Sequence, residues 1–315
     1  MNILITGGSG FIGSHLTRHY TNAGHHVWVV DNLITGNKNN LAGISPDLLT
    51  FVEQDVSTYD LKDIPHVDIA FNLASPASPV QYKKHPVETM LANSQGSYHL
   101  LEFARAGKCD RIVLASTSEV YGDPLEHPQK ETYWGNVNPA GERSCYDEAK
   151  RYAEAITMTY HMKYGTHVRI ARIFNTYGPN MELDDGRVVS NFITQAIQAK
   201  PITIYGDGSQ TRSFCYVSDL VRGLAALGET EGIDGQTINL GNPNEKTVKE
   251  LAEMIKSMVQ TGSEIVYHPI GQDDPKKRKP DITKAREMLN WQPEIHLEEG
   301  LTKTIEYFRS ALHTI

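Results

Sequence analysis

Tyr146 and Lys150 stand four residues apart, a step that on a helix brings both side chains to one face. A phenol with a reference pKa near ~10 is a poor base at neutral pH, and a neighbouring ammonium that favours the phenolate makes it a usable one. Fifteen tyrosines at ordinary lysine frequency would give about one such pair by chance, so the pair gains meaning only from its surroundings. Those surroundings include Ser116-Thr117-Ser118-Glu119, which follows the β-type run Arg111-Ile112-Val113-Leu114-Ala115. In an open α/β sheet that is the carboxyl edge, where ligands bind. Tyr146 is therefore expected to act as general base toward a hydroxyl, with Lys150 as its electrostatic partner and Thr117 hydrogen-bonding the same oxygen. The competing reading of Tyr146 is an aromatic ring packed on a helix face.

A second constellation opens the chain. Gly7-Gly8-Ser9-Gly10-Phe11-Ile12-Gly13 places glycines at 7, 10 and 13 between a strand-like run and a helical pattern. There glycine permits a tight turn and close approach of the backbone to a pyrophosphate lying on the helix N-terminus. A glycine pattern alone also fits a flexible turn, but this one follows a β-run, precedes a helix and is succeeded by a second strand ending in Val29-Val30-Asp31. Asp31 can accept hydrogen bonds from the adenosine ribose, and its charge repels a 2′-phosphate, so NAD is expected rather than NADP. A bound nicotinamide cation would add to the effect of Lys150 on the Tyr146 phenol. Asp55, after the third strand, is equally readable as an adenine contact or as an ordinary loop aspartate.

To hold these groups the first half alternates short β-type runs, near 2–6, 27–31, 50–53, 68–73, 111–115 and 167–172, with amphipathic patterns near 11–24, 86–107 and 145–164. That alternation predicts an α/β fold with a doubly wound parallel (Rossmann) sheet. After residue 174 the pattern loosens into turn-rich segments, as expected of a smaller, mainly C-terminal lobe. The run 237–240 and the segment before Asp219 are expected to return to the main sheet. The division is 1–174 plus about 213–242 for the dinucleotide domain, and about 175–212 with 243–315 for the second lobe.

The 315 residues, 39% hydrophobic and 22% charged, contain no 18-residue apolar run, and Met1 leads directly into a strand without a leader pattern. A soluble, cytoplasmic protein is expected. Cys109, Cys145 and Cys215 lie too far apart for a metal-ligand pattern and are odd in number for disulfides. Free thiols and no metal follow. A net charge of −8 argues against nucleic acid or anionic membrane as partner, but leaves room for a small anionic substrate in a local basic pocket. The run Lys276-Lys277-Arg278-Lys279 reads first as a solvated surface.

Taken together, the glycine pattern, Ser116-Thr117-Ser118-Glu119-Val120-Tyr121-Gly122 and the Tyr146/Lys150 pair resemble the extended short-chain dehydrogenases. More narrowly, Asn72-Leu73-Ala74-Ser75-Pro76-Ala77-Ser78-Pro79, Ala171-Arg172-Ile173-Phe174-Asn175-Thr176-Tyr177-Gly178-Pro179, Asp185-Gly186-Arg187-Val188-Val189-Ser190-Asn191-Phe192 and Gly208-Ser209-Gln210-Thr211-Arg212-Ser213-Phe214 resemble the UDP-glucuronate decarboxylases. The resemblance covers nearly the whole chain. It implies oxidation of a nucleotide sugar at C4 with bound NAD, loss of the C6 carboxylate from the β-keto acid, and return of the hydride to give UDP-xylose. It also implies cofactor contacts from Phe11, Ile12, Asn32, Val56, Leu73 and Ala74 besides Gly7, Gly10, Gly13, Asp31, Asp55, Tyr146 and Lys150. Substrate contacts are implied for Asn175, Arg187, Asn191, Gln210, Arg212 and Arg278. For Arg187 and Arg212 the competing reading is a surface ion pair, and for Arg278 a charged loop.

In the similar sugar 4,6-dehydratases an Asp-Glu pair follows the Thr, because a departing hydroxyl must be protonated. Ser118 replaces that Asp here, which suits carbon dioxide, a group that leaves unprotonated. Glu119 is expected either to press the substrate carboxylate out of the sugar plane by its charge or to protonate C5 in its acid form. The resemblance further implies a homodimer built through the helices near 86–107 and 145–164. Two rival functions remain: a UDP-glucuronate 4-epimerase using the same Tyr146, Lys150 and NAD, and a catalytically silent NAD-sensing protein, against which the intact Tyr146/Lys150 pair speaks.

Overall fold

Alternation within the first strand already divides the interior in two. In β1 (Asn2–Thr6), Ile3 and Ile5 face one layer of core and Leu4 the other, all fully buried. The computed structural model, which describes residues 1–269 and 277–313, extends this through seven parallel strands. β2 (His26–Asp31), β3 (Leu49–Glu53), β4 (Val67–Asn72), β5 (Cys109–Thr117) and β6 (Val168–Ile173) join β1 and β11 (Thr237–Leu240) in the order β11-β6-β5-β4-β1-β2-β3. The sheet reverses direction of winding between β1 and β4, the crevice where such sheets bind ligands.

Helices cover both faces. Leu16 and Tyr20 of α1 (Phe11–Asn22), with Leu220 and Leu224 of α7 (Val217–Glu229), pack on the face that carries Ile3, Val29, Phe71 and Val113. Leu100 and Phe103 of α4 (Ser97–Arg105) and Tyr160 of α5 (Ser144–Tyr164) cover the opposite face around Leu4, Ala70 and Ile112. Each large apolar side chain fully buried here contributes about 1.5–3 kcal/mol, so the sheet is a stiff base for the loops at its carboxyl edge.

The strand positions agree with the sequence expectation to within a residue or two, and β11 lies in the main sheet as expected. Two details differ. The segment before Asp219 does not join that sheet: β10 (Cys215–Tyr216) pairs instead with β7 (Thr176–Tyr177), because the chain leaving β6 turns away from the sheet at Asn175, whose carbonyl accepts from Cys215 N. The amphipathic stretch 86–107 is not one helix. It is α3 (Pro86–Leu91), a π turn at Ala92–Gly96 and α4, preceded by α2 (Pro79–Lys84). The π turn brings Gly96 so close to Val56 that a Cβ there would meet its side chain at 2.8 Å.

Beyond the sheet edge, β8 (Ile202–Tyr205) pairs with β13 (Ile265–His268), and β9 (Thr211–Ser213) lies between β12 (Glu245–Thr247) and β14 (Lys277–Arg278). α6 (Val188–Ile197), α8 (Val248–Val259), α9 (Thr283–Leu289) and α10 (Leu297–His313) complete the chain. Among the described residues, no helix is long and apolar enough to cross a membrane. Lys276 and the neighbouring Gln272 to Pro275 lie outside the described residues.

Candidate active site

One cleft of about 1320 Å³ runs over the carboxyl edge of the sheet, and every residue the sequence marks as a candidate for catalysis, cofactor or substrate lines it. Its floor is the β1–α1 turn. Gly7 takes φ +72°, and a Cβ on it would approach Ala74 N at 2.8 Å; a Cβ on Gly13 would collide with the Gly7 carbonyl. Only glycine allows the turn to close this tightly. Gly10 caps α1 without a side-chain hydrogen bond, so the first amides of the helix face the cleft beside Phe11 and Ile12 and can receive an anion. Thr6 ties the neighbouring wall together, donating to Asn72 Oδ1 at 3.1 Å and accepting from Ala74 N at 3.3 Å, which sets Leu73 and Ala74 opposite the glycines.

Asp31 ends β2 and is 7% exposed. Its two oxygens accept from Ser9 N at 3.0 Å and Leu33 N at 2.9 Å, so its charge is held in the turn that a ribose must meet. Asp55 accepts from Ser57 N and Oγ on one oxygen and from Asn32 Nδ2, at 2.9 Å, on the other. Burial alone would raise its carboxyl; the Ser57 and Asn32 hydrogen bonds hold it below the ordinary value. Val56 lies next to it on the cleft wall. A glycine cradle, an uncapped helix start and an acidic β2 terminus together fit a dinucleotide with a free 2′-hydroxyl.

Across the cleft, the Lys150 ammonium donates to Ala115 O at 2.8 Å and stands 6.0 Å from the Tyr146 ring centroid. Both side chains are buried, at 4% and 6% exposure. Burial pushes the Tyr146 phenol up to about 12, against hydrogen bonding from Thr117, and pushes Lys150 down to about 8, against the charge of Glu154. The Tyr82 ring lies 5.1 Å from that of Tyr146 and almost parallel to it, which fixes the plane of the phenol.

Thr117 accepts from Glu119 N at 3.2 Å and starts the turn that carries Ser118 and Glu119. The Glu119 carboxylate is held between two guanidiniums, Arg143 at the start of α5 and Arg278 on β14. Burial alone would raise its pKa, but the charges of Arg278 and Arg143 keep it ionised and below the ordinary carboxylate range. The acid form expected as one alternative for Glu119 is therefore disfavoured in this arrangement. Arg278 is 2% exposed, not a solvated loop residue: Nη2 donates to Gly122 O at 2.8 Å, and Nη1 approaches Ser118 Oγ at 3.4 Å.

The far end of the cleft gathers the remaining residues. Arg187 pairs with buried Asp185 at 3.1 Å, Arg212 Nη1 donates to Thr211 O at 2.9 Å, and Gln210 Nε2 donates to Tyr205 O at 2.6 Å. Asn175 follows β6, and Asn191 lies in the first turn of α6. Sequence reasoning missed Arg143 and Tyr82. Arg143 carries a readable signal, one helical turn before Tyr146; Tyr82 arrives from α2, with nothing local to mark it.

Comparison with known proteins agrees with this geometry. The model of the NAD dependent epimerase/dehydratase family matches residues 3–241. UDP-glucuronic acid decarboxylase 1 of Arabidopsis thaliana is 54% identical over 314 residues, 99% of this chain and 71% of that protein. Among solved structures, UDP-glucose 4-epimerase of Thermotoga maritima with UDP-glucose superposes with TM-score 0.90 at 32% identity, over 99% of this chain and 100% of that one. UDP-glucuronic acid 4-epimerase of Bacillus cereus, in complex with UDP-glucuronic acid and NAD, gives 0.88 at 28% identity over the same shares. The chain therefore belongs to the NAD dependent epimerase/dehydratase family, and within it to the group of the UDP-glucuronic acid decarboxylases.

Proposed function

We propose that the chain converts UDP-glucuronate into UDP-xylose, with NAD regenerated in each turnover. The observation that carries this reading is the Ser118-Glu119 pair beside Tyr146, with Glu119 held ionised by Arg278 and Arg143. A departing C6 hydroxyl would need an acid at that place, and carbon dioxide does not. The names of the relatives, including the decarboxylase of Arabidopsis thaliana, support the same choice.

In this reading Tyr146 takes the proton of the C4 hydroxyl, Thr117 hydrogen-bonds the oxygen, and Lys150 stabilises the phenolate. Bound NAD supplies the hydride acceptor and then the hydride donor at C4. The 4-keto sugar is a β-keto acid; its C5–C6 bond breaks, carbon dioxide leaves, and the electrons pass into the ketone. Tyr146 and Thr117 hold the enolate oxygen, a proton from solvent water adds to C5 in place of the lost carboxylate, and Tyr146 returns its proton to the C4 oxygen. The Glu119 charge presses the substrate carboxylate out of the sugar plane, the orientation in which that bond breaks. Gly7, Gly10, Gly13, Asp31 and their neighbours hold the cofactor. Asn175, Arg187, Asn191, Gln210, Arg212 and Arg278 hold the nucleotide sugar. Residues 1–174 with about 213–242 then form the cofactor half, and about 175–212 with 243–315 the sugar-nucleotide half.

A homodimer and a cytoplasmic address belong to the same reading. Val87, Met90 and Tyr98 around the π turn and Tyr152 on α5 are 43–62% exposed, apolar surface that a second copy would cover. Three free thiols accord with a reducing compartment.

Incubation with UDP-glucuronate without added reductant, followed by mass spectrometry and NMR, tests the activity. UDP-xylose is expected. UDP-galacturonate of unchanged mass would establish a 4-epimerase instead, the activity in the name of the Bacillus cereus neighbour. Sedimentation at micromolar concentration tests the dimer, and a monomer would remove it.

A further inference from the structure

One helical turn beyond Lys150 and two beyond Tyr146, α5 places Glu154 on the same face. Its side chain is 13% exposed, and it hydrogen-bonds to the sheet. Oε1 accepts from Ser116 Oγ at 2.5 Å and from Arg172 Nε at 2.9 Å, and Oε2 accepts from Arg172 Nη2 at 2.7 Å. Ser116 immediately precedes Thr117 on β5, and Arg172 lies on β6, so one carboxylate joins the catalytic helix to both strands. Arg172 is braced from behind, donating to Tyr121 Oη and Glu131 O, each at 3.1 Å.

Lys150 lacks a comparable partner. Its buried ammonium donates to a neutral carbonyl, Ala115 O, and has no ion pair among the described residues. A buried cation in that position depends on a nearby anion. The Tyr146 ring, from the same helix, faces it with its centroid 6.0 Å away. Glu154 is the carboxylate whose charge favours the ammonium.

We propose that Glu154 is a positioning residue of the reaction: through Ser116 it fixes the Thr117 end of β5 against Tyr146, and by its charge it keeps Lys150 an ammonium. The inference rests on the roles given above to Tyr146 and Lys150.

The test compares Glu154→Gln, Glu154→Asp and Tyr146→Phe in the NAD-loaded full chain, measuring kcat and KM for UDP-glucuronate from neutral into alkaline pH. Glu154→Gln is expected to lower kcat about tenfold with KM changed less than about twofold, and to move the alkaline limb of kcat down by about one pH unit. Glu154→Asp keeps the charge but shortens the reach, so it returns the limb while kcat stays reduced. A strap with no electrostatic role would leave the limb of Glu154→Gln in place, and that result overturns the proposal. So does a rise in KM that accounts for the whole loss. Should Arg172 facing a neutral amide prevent folding, Glu154→Gln/Arg172→Met removes both buried charges, and the limb is read in the same way. A fully active Tyr146→Phe enzyme would remove the assignment beneath the inference. An inactive one beside an unshifted limb in Glu154→Gln would remove the inference alone.

Discussion

Glu119 and Arg278 meet in an ion pair across 159 residues of chain, one at the carboxyl end of the central sheet and the other on a two-residue strand beyond it. Arg143 closes on the same carboxylate from the start of the catalytic helix. Two guanidiniums on one carboxylate leave a local excess of positive charge, which a second carboxylate, that of a uronate, would neutralise.

Glu119→Gln is accordingly expected to free both arginines for the substrate. KM for UDP-glucuronate falls, because the positive pair no longer spends its charge on Glu119. Decarboxylation slows about tenfold or more, because the carboxylate is held rather than pressed out of plane. Steady-state kinetics with mass spectrometry of the products checks both. Full turnover at unchanged KM would show that Glu119 has no part in the chemistry.

Tyr146→Phe removes the phenolic oxygen and keeps the ring that stacks on Tyr82. The variant should fold, retain NAD and bind UDP-xylose with nearly unchanged affinity, while turnover falls about 10²–10⁴-fold. Calorimetric titration with UDP-xylose beside a turnover assay separates the two effects. Loss of binding in step with turnover would mean a structural rather than a chemical role.

The sheet was legible because its signals are local. Ile3, Leu4 and Ile5 alternate faces, and the turn glycines follow at once. The cofactor side was legible for the same reason, since Gly7, Gly13 and Asp31 lie within one β–α–β passage. Arg278 was only half legible: a basic run looks solvated until β14 pairs with β9 and carries the side chain inward to Ser118 and Gly122. Tyr82 and the Glu154–Arg172 pair were not read at all. Each depends on contacts between distant elements, and neither glutamate nor tyrosine carries a local pattern that tells a buried partner from a solvated face.

Asp31→Ala should weaken the discrimination between NAD and NADP by about tenfold or more, since the charge facing a 2′-phosphate is gone. Ser9 N and Leu33 N lose their acceptor as well, so NAD itself should bind less tightly. Fluorescence titration with both cofactors measures the ratio. An unchanged ratio would place the ribose away from the end of β2.

Lys150 should leave a mark on stability as well as on rate. In the unfolded chain its ammonium persists to about pH 10.5, whereas burial lets the folded protein release that proton near pH 8. Between those values the unfolded state binds more protons, so unfolding free energy rises with pH across the window. Below it both states are protonated and the full destabilisation remains, on the order of 3 kcal/mol. Lys150→Met lacks this titration. The cofactor-free variant should therefore exceed the parent in stability at about pH 7, with the advantage shrinking by about pH 9.5 as Lys150 discharges in the folded parent. Urea unfolding of both proteins at the two pH values makes the comparison. An equal difference at both would mean that Lys150 holds its proton throughout the window, and that its depressed affinity for it is wrong.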